Sequence, residues 1–405
     1  MKPRVLFLDH AGVLSGAELM LLDVARYNAD SGKVLLFADG PLREHLEQAR
    51  VAVEVLPAPI SVSGLSRKGD NGVRDLLAVP GVLKLVRRVA QLSRGYDLLY
   101  ANSQKALAIG ALAGKLANKP MIWHLHDMLI PDHFSSKRRR LATVLANRAV
   151  ARVIANSRAS AAAFVEAGGR AENARVIYNG IDPGPFGSVA PAEVEALKEK
   201  LGLPGAPIVS VFGRLAPWKG QHVLLEALAR LPGVQALLVG EALFGESLYA
   251  QSLRELSKTL GVANRVHFVG FRRDVARLMR LSDVVVHTSI SPEPFGRVIV
   301  EGMLACRPVV ASRAGGVTEI VEDGVNGVLV PPGNPEALAD ALTSVLRDPS
   351  RGHSLAVAGY ETASSRFSLR AMLEDVEQQI REVARPRRPR AALLPMRNRT
   401  KEVGL

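Results

Sequence analysis

Pro292-Glu293-Pro294-Phe295-Gly296-Arg297-Val298-Ile299-Val300-Glu301-Gly302-Met303-Leu304-Ala305-Cys306-Arg307-Pro308-Val309-Val310 is the stretch on which the reading of this chain turns. Just ahead of it, Asp283-Val284-Val285-Val286-His287 is an apolar, β-branched run of the kind that forms a buried parallel strand. Behind the Pro- and Gly-bearing turn, helix-forming residues run over 296–305, and a short strand follows at 308–311. Strand, tight loop and helix N-terminus in that order make a ligand-binding corner. The first amides of a helix lack internal partners and carry partial positive charge, so Phe295, Gly296 and Arg297 can offer N–H groups to a phosphate or a sugar hydroxyl. Gly296 lets a ligand approach the backbone. Glu293 and Glu301, spaced E-x7-E, can address successive parts of one elongated ligand. The plainer reading is a solvated loop carboxylate followed by a helix carboxylate placed in the first turns.

The same strand-then-helix beat runs through both halves. Apolar strands are expected at 4–8, 34–38, 53–56, 97–101, 120–123, 152–155 and 175–178, and again at 208–212, 235–239, 266–269, 284–287 and 309–311. Helices fall between them, the first with Leu19, Leu22, Val24 and Ala25 facing inward. Alternating β and α with apolar strands means parallel sheets covered on both faces, so the fold class is α/β, two Rossmann-like domains facing across a cleft. The boundaries read as a first domain over 1–184, a linker at 185–206 containing a helix near 192–201, a second domain over 207–366, a helix at 367–384 crossing back to the first domain, and a basic tail at 385–405. Residues 57–75 are too polar and glycine-rich to pack and are expected to form a mobile loop on the ligand side.

In open α/β sheets ligands bind at the carboxyl ends of strands. Gly213-Arg214-Leu215-Ala216-Pro217-Trp218-Lys219-Gly220 follows the first strand of the second half. Its forked guanidinium and point ammonium suit a diphosphate. His124-Leu125-His126-Asp127 ends a strand of the first half. Alternation puts both rings on one face, but no third ligand stands at a recognisable spacing, so no metal is expected. Ser15-Gly16-Ala17-Glu18 opens the first helix without a full G-x-G-x-x-G, which argues against a dinucleotide cofactor. Two carboxylates alone would also serve a glycoside hydrolase, a reading that leaves Arg214 and Lys219 without a purpose. A nucleotide-sugar-binding protein without turnover is the other alternative.

With P-F-G inside E-x7-E and G-R-x-x-x-x-K-G at Gly213 to Gly220, the chain resembles the retaining glycosyltransferases of family 4, which have the GT-B fold. The resemblance runs over about residues 4–384, tightest from 208 to 346, where Gly315-Gly316-Val317-Thr318-Glu319 continues it. It implies that Glu293 contacts the donor sugar and Glu301 the nucleotide ribose. Arg214 and Lys219 would stabilise the departing diphosphate, and Gly16, Phe295 and Gly296 would give backbone contacts. The strand ends at Gly240 and at Val269 and Phe271 would hold the nucleotide, the latter its base. His126 would hydrogen-bond the hexose near the reacting carbon, with His124 and Asp127 as weaker candidates. The implied reaction moves a hexose, with retention, from a UDP- or GDP-sugar to a glycan or lipid-linked acceptor in bacterial surface polysaccharide or glycolipid synthesis. No metal and no cofactor are implied.

Composition fits. At 405 residues, 48% hydrophobic and 22% charged, each half can bury a core. Cys306 is the only cysteine, which excludes an intramolecular disulfide and a cysteine-built zinc site and suits a reducing cytosol. No apolar run reaches the roughly 20 residues that span a bilayer, and 5–8 is too short for a signal peptide, so the expected location is cytoplasmic, peripheral at the inner face of the plasma membrane. The net charge of +13 is uneven: +9 over 1–184, −2 over 185–384 and +6 over 385–405. Charge alone does not choose among anionic lipid, polyanionic glycan and nucleic acid. The amphipathic 79–94, with Lys84, Arg87 and Arg88, together with the run Lys137-Arg138-Arg139-Arg140 can rest on an anionic membrane, the plainer reading of either segment being an ordinary solvated face; no specific nucleic acid is expected. The tail beyond 390 is expected to be disordered.

Overall fold

The computed structural model describes residues 2–58, 79–203, 205–243 and 245–385, so the loop expected over 57–75 lies outside it from residue 59 on, as does the tail from 386. In chain order the strands are β1 (Val5–Asp9), β2 (Gly32–Leu36), β3 (Ala52–Val55), β4 (Leu98–Ala101), β5 (Met121–Leu125), β6 (Arg152–Ala155), β7 (Ala174–Val176), β8 (Ile208–Phe212), β9 (Gln235–Val239), β10 (Val266–Gly270), β11 (Val284–His287), β12 (Val309–Ser312) and β13 (Val328–Val330). They form two parallel sheets, ordered β3-β2-β1-β4-β5-β6-β7 and β10-β9-β8-β11-β12-β13. Val284 to Val286 show why these segments are strands. They are fully buried, and β-branched side chains that must pack on both faces favour the pleated backbone.

Each sheet starts at its centre, grows to one edge, and then restarts on the other side of its first strand. The reversal falls between β1 and β4 in one sheet and between β8 and β11 in the other. Connections leave in opposite directions there and open a crevice beyond the carboxyl ends. The loops leaving β1, β4, β8 and β11 therefore border that crevice.

Helices Val79–Ser93, Gln104–Ala117 and Ser136–Ala149 cover one face of the first sheet. Gly16–Tyr27, Pro41–Gln48 and the C-terminal Leu369–Ala384 cover the other. Gly180-Ile181 and Phe367-Ser368, where the chain passes between the halves, lie against each other. Ile181 N–H donates to the Phe367 carbonyl at 2.9 Å, and a Cβ on Gly180 would sit 2.5 Å from the Ser368 carbonyl oxygen.

Four details differ from the sequence reading. The first helix is rotated: Met20 and Leu21 are buried with Val24 and Ala25, whereas Leu19 and Leu22 are only half-buried. The segment 185–206 is not a bare tether, since Val194 and Leu197 on its helix Pro191–Lys200 pack into the second core and Glu193 pairs with Arg277 at 2.6 Å. Strand β13 is an addition. So is helix Pro349–Arg366, whose Gly- and Ser-rich sequence has little helical propensity. Packing supplies what propensity lacks, because bare Gly359 lets the helix approach Met303 and Asn326 so closely that an added Cβ would lie 3.1 and 3.2 Å from them.

Met372, Val376 and Ile380 of the C-terminal helix are buried among Val5, Phe7, Tyr100 and Ile122 of the first domain. Ile380→Ala is expected to cost about 2–5 kcal/mol of unfolding free energy, read from the urea midpoint, because this fully buried side chain leaves a cavity between helix and sheet. An unchanged midpoint would mean that the helix does not dock there.

Candidate active site

In the second domain the loops after β8 and β9 touch backbone to backbone. Gly240 has φ of 142°, and a Cβ there would lie 2.0 Å from the Gly213 carbonyl oxygen. Pro217–Lys219 then forms a 3-10 turn ended by Gly220 at φ 68°, where a Cβ would collide with the Thr288 carbonyl at 2.1 Å. The Thr288 hydroxyl donates to the Lys219 carbonyl at 2.8 Å. These contacts pin Lys219 beside the residues just past β11.

There the Lys219 ammonium meets the Glu293 carboxylate. The other carboxylate oxygen of Glu293 takes a hydrogen bond from the Ser289 hydroxyl at 2.8 Å and faces His287 Nε2 at 3.4 Å. Burial opposes charge on Glu293, but the Lys219 ammonium and His287 outweigh it and hold the carboxyl well below the usual range. The ionised form of Glu293 is therefore the favoured one. Lys219 also lies over the Trp218 ring, 4.4 Å from its centroid. On the same loop Arg214 pairs with Glu246 at 3.2 Å. Each cation thus carries its own carboxylate.

The Glu293 loop is held from behind by Gly315-Gly316. Gly315 bridges Glu293, Gly316 N–H donates to the Glu293 carbonyl at 2.8 Å, and a Cβ on Gly315 would lie 2.3 Å from that same oxygen. Gly296 caps helix Arg297–Leu304 at φ 103°. The Phe295 ring is buried against Tyr178 and Phe367, which leaves the backbone contact expected of it as what it can offer a ligand. Glu301 is held by Arg297 at 2.7 Å. At the sheet edge Val269, next to the last residue of β10, is half-buried, and Phe271 is 54% exposed with its N–H bonded to Glu241 at 3.2 Å.

The first domain contributes a polar cluster at the ends of β1, β4 and β5. Asp9 accepts the Asn102 amide at 2.7 Å, and Asn102 Oδ1 lies 2.8 Å from His126 Nε2. Burial opposes charge on Asp9, but hydrogen bonds and the charge of His10, with the Asn102 amide, keep its carboxyl below the usual range. Burial pulls His126 down to about 4 although Asp127 and Asp9 favour its charged form, so the ring is neutral at physiological pH. His124 lies inside β5, its Nδ1 2.7 Å from the Tyr100 hydroxyl, and is a buried structural neighbour stacked on His126 with ring centroids 4.0 Å apart. Gly16, at the start of the first helix, is exposed, with open space where a Cβ would stand.

The two halves meet around these loops. Arg297 reaches Met20 Sδ at 3.3 Å, and the Trp218 and His133 rings stand 5.7 Å apart. Ser157 and Ser160 donate their hydroxyls to the Pro294 carbonyl at 2.5 and 3.2 Å. Glu319 accepts the N–H groups of Arg158 and Ala159 at 2.9 and 2.8 Å and the Tyr178 hydroxyl at 2.9 Å, so a carboxylate of the second domain caps helix Arg158–Glu166 of the first. Sequence reasoning missed Asp9, His287, Ser289 and Ser157 as site residues. All four stand at or just past strand ends, the signal that could have found them. Among the described residues no group of three His, Cys, Asp or Glu side chains is placed to hold a metal ion.

The chain is similar to known glycosyltransferases. Residues 14–184 match the family described as Glycosyltransferase Family 4, and residues 193–362 match Glycosyl transferases group 1. The D-inositol 3-phosphate glycosyltransferase of Xylanimonas cellulosilytica is 30% identical over 384 residues, 89% of this chain and 90% of that protein. The lipopolysaccharide core biosynthesis glycosyltransferase LpsE of Rhizobium meliloti is 39% identical over 178 residues, 44% of this chain and 51% of its own length. Several further curated relatives are likewise matched over about half their length. The crystal structure of Anabaena HepE in complex with UDP-glucose is similar with a TM-score of 0.86 and 44% identity, covering 94% of this chain and 100% of that one.

Glu18, buried in the first turn of the first helix and receiving the Ser15 N–H at 3.2 Å, is pushed up to about 7 by burial and by the Asp9 charge. A carboxyl with a raised native pKa stabilises the fold below its unfolded value, and that contribution is lost as pH rises through the native value. Glu18→Gln is therefore expected to raise stability at pH 8 by roughly 1–3 kcal/mol and to leave it nearly unchanged in mild acid, measured by urea unfolding. Equal changes at both pH values would contradict this.

Proposed function

The chain belongs to the family 4 type glycosyltransferases of GT-B fold, and from that premise we propose that it moves a hexose from a UDP-sugar to a glycan or lipid-linked acceptor with retention of configuration. The observation that carries the reading is the Lys219–Glu293 pair at the second switch point, with Arg214 on the same loop. Transfer builds negative charge on a leaving diphosphate and positive charge on the sugar. Lys219, Arg214 and the helix tip at Gly296 answer the first, acting in a closed cleft where preorganised charge costs no reorganisation. The ionised Glu293 carboxylate answers the second and accepts sugar hydroxyls, with His126 on the opposite side. Glu301 would take the ribose, Gly240, Val269 and Phe271 the remainder of the nucleotide, and the Gly16 amide the phosphates. The leaving phosphate itself would take the acceptor proton, and the reaction needs no metal or cofactor. A glycoside hydrolase needs a protonated carboxyl to pair with its carboxylate, whereas Glu293 is held ionised and Glu301 is bound by Arg297. Similarity to HepE, whose structure contains UDP-glucose, favours uridine over guanosine.

The acceptor side has its own support. Helices Val79–Ser93, Gln104–Ala117 and Ser136–Ala149 lie side by side and contain no acidic residue, while Leu83, Leu112, Leu116 and Leu141 are exposed among Lys84, Arg87, Arg88, Lys115 and Arg140. Basic and apolar groups together suit the surface of an anionic membrane carrying a lipid-linked acceptor. No helix among the described residues is long and apolar enough to cross a membrane.

UDP at 100 times its dissociation constant is expected to stabilise the protein by about 2.7 kcal/mol, and UDP-hexose to be turned over with release of UDP. Stabilisation by GDP alone, or glycoside hydrolysis without nucleotide, would overturn the reading. Arg214→Ala and Glu293→Gln should each lower turnover by about 10²–10³-fold. The wild type should sediment with phosphatidylglycerol vesicles but not phosphatidylcholine vesicles, and R87E/R88E should lose that binding. Equal binding to both vesicle types would exclude the anionic surface.

A further inference from the structure

Asn102 closes the end of β4, its backbone N–H donating to the Leu8 carbonyl at 2.9 Å. Its side chain makes three contacts. The amide nitrogen lies 2.7 Å from Asp9 Oδ2 and 3.1 Å from the Ala17 carbonyl oxygen, and the amide oxygen lies 2.8 Å from His126 Nε2. Both partners of the nitrogen are acceptors only, one an ionised carboxylate and the other a backbone carbonyl. Turning the amide over would set its oxygen against two others. The orientation is thus dictated, and an amide oxygen that can only accept requires the proton on His126 to be at Nε2.

We propose that Asn102, oriented by Asp9 and the Ala17 carbonyl, is a positioning residue that fixes the His126 ring as the Nε2–H tautomer and so presents Nδ1 to the donor sugar as a hydrogen-bond acceptor. This rests on the assignment of His126 to the donor site. The consequence for the reaction is specific. His126 receives a hydroxyl proton from the hexose in a hydrogen bond and donates nothing to it, so it orients the sugar without acting as an acid. Asp9 and Asn102 stand beyond the ring and touch it in series, which matches how an outer carboxylate or amide sets the working nitrogen of a catalytic imidazole. The neutrality that burial imposes on His126 is consistent with this role, since an imidazolium would have no acceptor. Nothing in the sequence pattern marks the arrangement, because Asp9, Asn102 and His126 are brought together only by the β1-β4-β5 strand order.

The test is the nitrogen chemical shifts of the His126 ring in uniformly 15N-labelled protein at neutral pH, its signals identified by their loss in His126→Gln. The wild type is expected to show a pyrrole-type Nε2 and a pyridine-type Nδ1. Asn102→Leu, which leaves no acceptor at Nε2, should move both toward a tautomeric average. With UDP-hexose, Asn102→Leu should lower kcat by about 10–100-fold while the donor KM changes by less than about threefold. An Nδ1–H or doubly protonated ring in the wild type overturns the proposal, as does an unaltered tautomer in Asn102→Leu. Absence of turnover in the wild type would strike the donor assignment, whereas the spectrum decides the tautomer without any substrate.

Discussion

The contact between the half-buried Lys219 ammonium and the buried Glu293 carboxylate is the constraint around which the second domain is arranged. Two charges withdrawn from water are costly, and their attraction offsets the loss only when the remaining hydrogen-bonding capacity is filled. Here Ser289 and His287 fill the carboxylate, and the Trp218 ring lies under the ammonium. The close glycine contacts at Gly220 and Gly315 meet the same need, since a side chain at either position would push the two loops apart. Removing one partner would strand the other, a cost of about 3–5 kcal/mol for a buried pair. Such an arrangement makes sense where a ligand brings further charge, because a diphosphate and a hexose supply groups that both members can use.

The first domain answers with neutral and hydrogen-bonded groups. Asp9, Asn102 and His126 form a chain whose outer end is charged and whose inner end is not; in the proposed donor site this end would orient the sugar while Arg214 and Lys219 attract the phosphates. Glu319 and Pro294 tie the two sides at their rim. The Pro294 carbonyl, next to Glu293 in the chain, is held by Ser157 and Ser160 of the other domain, so the position of Glu293 depends on how the domains sit.

Much of the fold was legible because buried parallel strands are written as continuous apolar runs, and β8, β9 and β11 coincide with theirs end to end. The site was legible where chemistry is local: Arg214 and Lys219 share one loop, and Glu293 precedes a glycine-capped helix. What stayed hidden was long-range. The pairing of Lys219 with Glu293 spans 74 positions and that of Asn102 with Asp9 spans 93, and no local pattern encodes either. Helix Pro349–Arg366 escaped because packing against Met303, not propensity, sustains it. Phe295 was read for its backbone, and its ring proved to be core, since an aromatic beside a glycine turn looks the same in either role.

In the donor site proposed above, a nucleoside diphosphate lies between Arg214, Lys219 and the tip of helix Arg297–Leu304, with Glu293 turned toward the sugar. A crystal structure with UDP bound tests it most directly. Phosphate oxygens are expected within hydrogen-bond distance of the Arg214 guanidinium, the Lys219 ammonium and the amides near Gly296. A diphosphate seated elsewhere, with Lys219 and Glu293 remote from it, would contradict it.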